Sequence, residues 1–133
     1  MGFRPSKDAR TTLETLQHID GLTNVLLNAV SKKSTKIATA TNTKLSFAEL
    51  RQQTLQQMQK ASELLKQPGV KLEDMDMIFE RTGSKQEYPF WNLINGPISD
   101  ALWHVGQVVS FRRSSGNPLP KGVSVLQGTK TNE

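Results

Sequence analysis

The side chains best suited to chemistry in this chain are its two histidines, His18 and His104, and the carboxylate of Asp100. Asp100 and His104 stand four residues apart, so on a helix they lie one turn apart on the same face. Both could point at a single ion, with His18 approaching from a facing helix, because helical bundles build metal sites from inward side chains on facing helices. Two imidazoles and one carboxylate would leave coordination positions open, as a reactive centre requires. The same spacing has a plainer reading: Asp100 is an acid in the first turn of a helix, and His104 is a half-buried histidine hydrogen-bonded to it. Gln107, one turn beyond His104, could orient a ligand or bond to backbone. Arg112 and Arg113 suit the negative end of a helix dipole or an anion. Trp91, Trp103 and Phe111, at helical spacing, read as core.

Several function classes are excluded or disfavoured by composition. The chain has no cysteine, hence no disulfide framework, no thiolate metal site and no cysteine nucleophile. Net charge is +5, from 17 basic and 12 acidic residues, and the basic residues are scattered. The tightest cluster, Lys32, Lys33 and Lys36, falls where a helix is expected to end. A nucleic-acid surface needs basic residues gathered on one face, so nucleic acid is not an expected partner. No apolar run approaches the roughly 18 residues of a membrane span. Met1-Gly2-Phe3-Arg4-Pro5-Ser6 has no apolar signal region, and the chain reads as cytoplasmic where Met1 is the natural start.

The elements that must position these residues are read from periodicity. A length of 133 residues suits one domain. A first helix is expected over residues 7–33, with Ser6 as N-cap and an apolar stripe through Leu13, Leu16, Ile19, Leu26 and Val30. Gly21 weakens its interior. Residues 34–44 read as a loop. A second helix over residues 46–67 opens on the capping box Ser46-Phe47-Ala48-Glu49 and stops at Pro68-Gly69. Its face of Gln52, Gln53, Gln56, Gln57 and Gln59 reads as solvated. Met77-Ile78-Phe79-Glu80-Arg81 has the composition of a short strand, with Thr82-Gly83-Ser84 as a turn. A third helix is expected over residues 89–115, kinked or restarted at Pro97 and ended by Gly116-Asn117-Pro118. The fold class expected from these runs is all-α, an up-down bundle with three long helices, over residues 1–118, followed by an extended tail over 119–133. Three amphipathic helices leave an apolar stripe uncovered, so a second copy of the chain or a helix encoded upstream of Met1 is expected to cover it.

Two stretches carry a resemblance. Phe3-Arg4-Pro5, followed by Thr12-Leu13-Glu14-Thr15-Leu16-Gln17-His18-Ile19, is similar to the loop and second helix of the DinB-like family of four-helix-bundle metalloproteins. Asp100-Ala101-Leu102-Trp103-His104-Val105-Gly106-Gln107, with Gly116-Asn117-Pro118, resembles that family's fourth helix and its exit. The resemblance spans nearly the whole chain and implies that the family's first helix is absent here. It implies a metal triad of His18, Asp100 and His104, with aspartate standing where the family usually has histidine. That replacement favours a harder ion among Zn, Ni, Fe and Mn. The activity implied is that of a divalent-metal-dependent enzyme of thiol-transferase or hydrolase type acting on a small molecule. Glu14, one turn before His18, is the nearest acid on that face. The alternative is a non-catalytic stress-response or binding module in which the polar trio is structural.

Overall fold

A computed structural model describes residues 1–37, 45–124 and 127–131. Among these residues the chain forms three α-helices and five short strands in two small sheets. The architecture is therefore mixed α/β, and the all-α bundle expected from the helical periodicity is corrected. The helices are α1 (Thr12–Val30), α2 (Phe47–Leu65) and α3 (Ser99–Ser114). Strand β1 (Ser34–Lys36) lies parallel to β2 (Met77–Arg81), which pairs antiparallel with β3 (Ser84–Tyr88). A second pair, β4 (Val123–Ser124) with β5 (Thr129–Lys130), lies in the C-terminal tail.

The sheet arises where short runs find distant partners. Ser34, Thr35 and Lys36 were expected in a loop, but they align with Ile78, Phe79 and Glu80. Thr35 is buried there, its hydroxyl accepting from Asn28 Nδ2 at 3.1 Å. Residues 38–44, the rest of that expected loop, lie outside the described residues. Met77 and Phe79 project from one side of β2 towards the core, as the period of two along a strand requires. Gly83, at φ 79°, closes the hairpin to β3 in a conformation that residues with a side chain rarely adopt.

Helix α1 begins five residues later than the Ser6 cap implies. Thr11 is the N-cap, and Glu14 completes a capping box with it. The carbonyls of Phe3 and Met1 accept from the amides of Thr12 and Leu13 at 2.9 and 3.2 Å, so the N-terminal arm satisfies donors that a helix start leaves free. Phe3 also packs its ring against Phe111 of α3, with centroids 5.7 Å apart. At the other end, the amide of Lys33 bonds to the carbonyl of Asn28 and that of Lys32 to Ala29. Lys32 therefore takes the left-handed position after the helix, at φ 55°.

Helix α2 keeps its expected start. The hydroxyl of Ser46 accepts from the amide of Glu49, and the Glu49 carboxylate accepts from the Ser46 amide at 2.8 Å. Those bonds from Ser46, hydroxyl first, hold the Glu49 carboxyl below the usual carboxylate range. A carboxyl lowered on folding contributes stability at pH values above its unfolded pKa and loses it as pH falls through the folded value. Replacing Ser46 by alanine is expected to cost about 1 kcal/mol in urea unfolding near neutral pH. The difference between variant and parent should shrink on acidification; a difference that persists unchanged in acid would argue against the box.

The face that α2 turns to α1 is more polar than its sequence suggests. Asp20, buried on α1, accepts from Gln53 Nε2 at 2.7 Å and from the Thr54 hydroxyl at 2.9 Å. Thr23 bonds to Gln57. Gln53 and Gln57 thus belong to the helix contact rather than to a solvated face. Of the apolar residues on α2, Leu50 and Ala61 are buried, whereas Phe47, Leu55 and Met58 are exposed.

The chain enters α3 through a wide turn, Ile94–Ile98, in which Gly96 departs from helical geometry and Pro97 is buried. Proline lacks the amide needed to continue a helix from upstream, and the break expected at Pro97 is present: a kink at Gly96 separates the upstream helical residues from α3, which runs from Ser99. At its far end, the Asn117 amide bonds to the Arg112 carbonyl and the Gly116 amide to that of Arg113. Arg112 also donates from Nε to the Asn117 carbonyl at 3.0 Å, which assigns it to the helix exit.

The main core lies between α1, the end of α2 and the first sheet. It contains Val25, Leu26, Ala29, Val30, Ala61, Met75, Met77 and Leu93. Helices α2 and α3 both pack on α1, with no Cα pair between α2 and α3 within 8 Å. Between them, over Leu16 and Ile19, runs an apolar groove of about 590 Å³ that Phe47, Leu55 and Val105 help to line. No helix among the described residues is long and apolar enough to cross a membrane.

Candidate metal centre

Helix α1 supplies His18, and α3 supplies Asp100 and His104. Pro97, buried in the turn before α3, marks where that helix begins. Asp100 and His104 lie one above the other towards α1. One donor atom from each of His18, Asp100 and His104 can be chosen so that all lie within 4.8 Å of one another. The three are therefore close enough to hold one metal ion.

The carboxylate of Asp100 bridges the two rings. Its Oδ2 lies 3.1 Å from His18 Nε2 and its Oδ1 lies 3.2 Å from His104 Nε2. The rings meet edge to face, with centroids 4.7 Å apart and planes at 84°. Gln107 presents its amide oxygen 2.7 Å from His104 Nδ1. With that oxygen accepting, Nδ1 carries the proton and Nε2 turns a lone pair towards Asp100. A lone pair there is a ligand atom for a cation shared with the carboxylate. A hydrogen bond to the remote nitrogen also fixes tautomer and ring orientation in many metal sites.

Burial is graded across the trio. The side chain of His104 is 12% exposed and that of Asp100 is 42% exposed. An ion held here would thus be anchored on the protein side and open on the Asp100 side. Two concavities border members of the trio. One, about 590 Å³, is lined by His18, Arg10, Glu14 and Gln17; the other, about 720 Å³, by Asp100, Trp103, Leu22 and Phe79.

Other expected site residues fall differently. Glu14 is taken up by the helix start: its carboxylate accepts from the Thr11 amide at 2.6 Å and from the Thr11 hydroxyl at 2.8 Å. These bonds, the amide first, hold its carboxyl below the usual range, which suits a cap better than a base. Trp91 and Trp103 are exposed and do not belong to the core, whereas Phe111 is half-buried against Phe3. Arg10 went unnoticed in the sequence because it sits outside any periodic run. Its Nη1 lies 3.5 Å from His104 Nε2.

Comparison of the chain with protein-family models, with curated proteins and with solved structures finds no match. The functional reading therefore rests on the site itself.

Proposed function

We propose that this chain is a divalent-metal-dependent enzyme related to the DinB-like family, with His18, Asp100 and His104 holding one ion. The observation that supports it is the convergence of two imidazole nitrogens and a carboxylate within 4.8 Å, with the His104 ring oriented by Gln107. The donor set suits a borderline divalent ion: neutral nitrogens are good ligands for Zn, Ni or Fe, and the carboxylate extends the range towards Mn. Bound there, an ion would supply Lewis acidity, lowering the pKa of a thiol or water and polarising an electrophile.

The protein's own groups do the rest. His18 and Asp100, the more exposed members, border the two concavities, so a nucleophile and an electrophile can approach from different sides. That arrangement favours a transfer between two small molecules, with hydrolysis as the case in which water is the nucleophile. His104 and Gln107 act as the fixed side of the centre.

Elemental analysis of protein purified without a polyhistidine tag tests the reading. One tightly held divalent ion per chain is expected, removable by chelator and restored by dialysis. A chain that takes up no ion would make the trio a hydrogen-bonded structural cluster and the protein a non-catalytic binding module.

A further inference from the structure

Arg10 stands immediately before the α1 cap and reaches across to α3. Its guanidinium is 3.5 Å from His104 Nε2, the nitrogen that also faces Asp100 Oδ1 at 3.2 Å. Among the described residues no carboxylate forms an ion pair with it. The acids that share its concavity are Asp8 and Glu14; the Glu14 carboxylate is hydrogen-bonded by Thr11 and feels the charge of Arg10 only as a lesser influence. Arg4, the other arginine there, donates to the Lys7 carbonyl at 3.3 Å. A planar guanidinium offers five donors in a fork that matches a carboxylate or phosphate. Its side chain also lines the concavity that His18 borders.

Resting on the metal reading above, we propose that Arg10 is the specificity residue of the centre, recognising a small anionic substrate, a carboxylate, held beside the ion. The charge balance agrees. Asp100 cancels one of the two charges of a divalent ion, and the histidines, as ligands, are neutral. The centre is then cationic even before Arg10 is counted, and a second cation next to it is unfavourable unless an anion joins them. Without an ion, Arg10 lies against the same Nε2 that an ion would take. Ion and guanidinium therefore compete for His104, and an anion relieves the competition by bridging them.

This competition makes the two effects of removing Arg10 opposite in sign. Cobalt(II) is the probe, because its visible absorption reports both its own binding and the arrival of acetate at the centre. Arg10→Ala is expected to bind cobalt(II) more tightly than the parent, by about threefold or more, since a neighbouring like charge is gone. Its acetate dissociation constant should rise by about tenfold, the loss of one charge-assisted contact. A variant that loses cobalt(II) and acetate affinity together would show that Arg10 merely supports the fold, and the proposal would fall. Unchanged acetate affinity would overturn it too. Acetate without effect on the cobalt-loaded parent would sink this inference and leave the metal reading standing. A parent chain that binds no cobalt(II) would remove both.

Discussion

Replacing His104 by alanine is expected to abolish stoichiometric metal binding while leaving the helices in place. His104 is the least exposed of the three candidate ligands, and its ring is oriented by Gln107. Its loss leaves one imidazole and one carboxylate, both on the open side, and two ligands seldom hold an ion in a site with open positions. The variant should therefore lose affinity by several orders of magnitude, beyond detection at micromolar protein. Gln107→Ala keeps all three ligands but frees the ring, for which a loss of about 10–100-fold is expected. Isothermal titration with zinc, beside circular dichroism to check helicity, gives both values. Affinity for His104→Ala equal to that of the parent would show that the ion, if any, binds elsewhere. Equal losses in both variants would instead point to disruption of α3.

The second large effect is on stability. Leu93→Ala is expected to cost about 2–5 kcal/mol in urea unfolding. Leu93 is fully buried, at 0% exposure, in the core that joins α1, the end of α2 and the first sheet. Truncating it removes apolar burial and leaves a cavity that the surrounding helices and strands can close only in part. A small domain has only about 5–15 kcal/mol of stability in total, so this one side chain carries a large share of it. Its place in the chain adds a consequence for the site. Leu93 immediately precedes the turn Ile94–Ile98, which leads into the helix that carries Asp100 and His104. Leu102→Ala, at a side chain 67% exposed, serves as the control and should stay within about 0.5 kcal/mol of the parent. A loss below about 1 kcal/mol for Leu93→Ala would mean that the core adjusts freely there.

Much of the local structure was legible in the residues because its causes are local. Ser46 and Glu49 announce the start of α2, since a capping box closes within four residues. Thr11 and Glu14 carry the same signature at the start of α1, which the expected Ser6 cap passed over. Gly116-Asn117-Pro118 marks the end of α3 for the same reason: the left-handed glycine at φ 75° is a property of that turn alone. The hairpin from Met77 to Tyr88 was half-visible, through the apolar start of β2 and the Gly83 turn.

The pairing of Asp100 with His104 also belongs to the sequence, because a spacing of four is one helical turn. His18 was a candidate by its type and by the family resemblance. Its approach to 3.1 Å from Asp100 depends on how α1 packs against α3. Strand β1 exists only because Ser34, Thr35 and Lys36 meet a partner more than forty residues away, a bond pattern that no local propensity encodes. The inward turn of Gln53 and Gln57 depends on Asp20 lying opposite them. Arg10 reaches His104 across 94 positions of chain. Caps, turns and helix faces are decided by neighbours in sequence; strand partners, polar helix contacts and the convergence of the site are decided by neighbours in space.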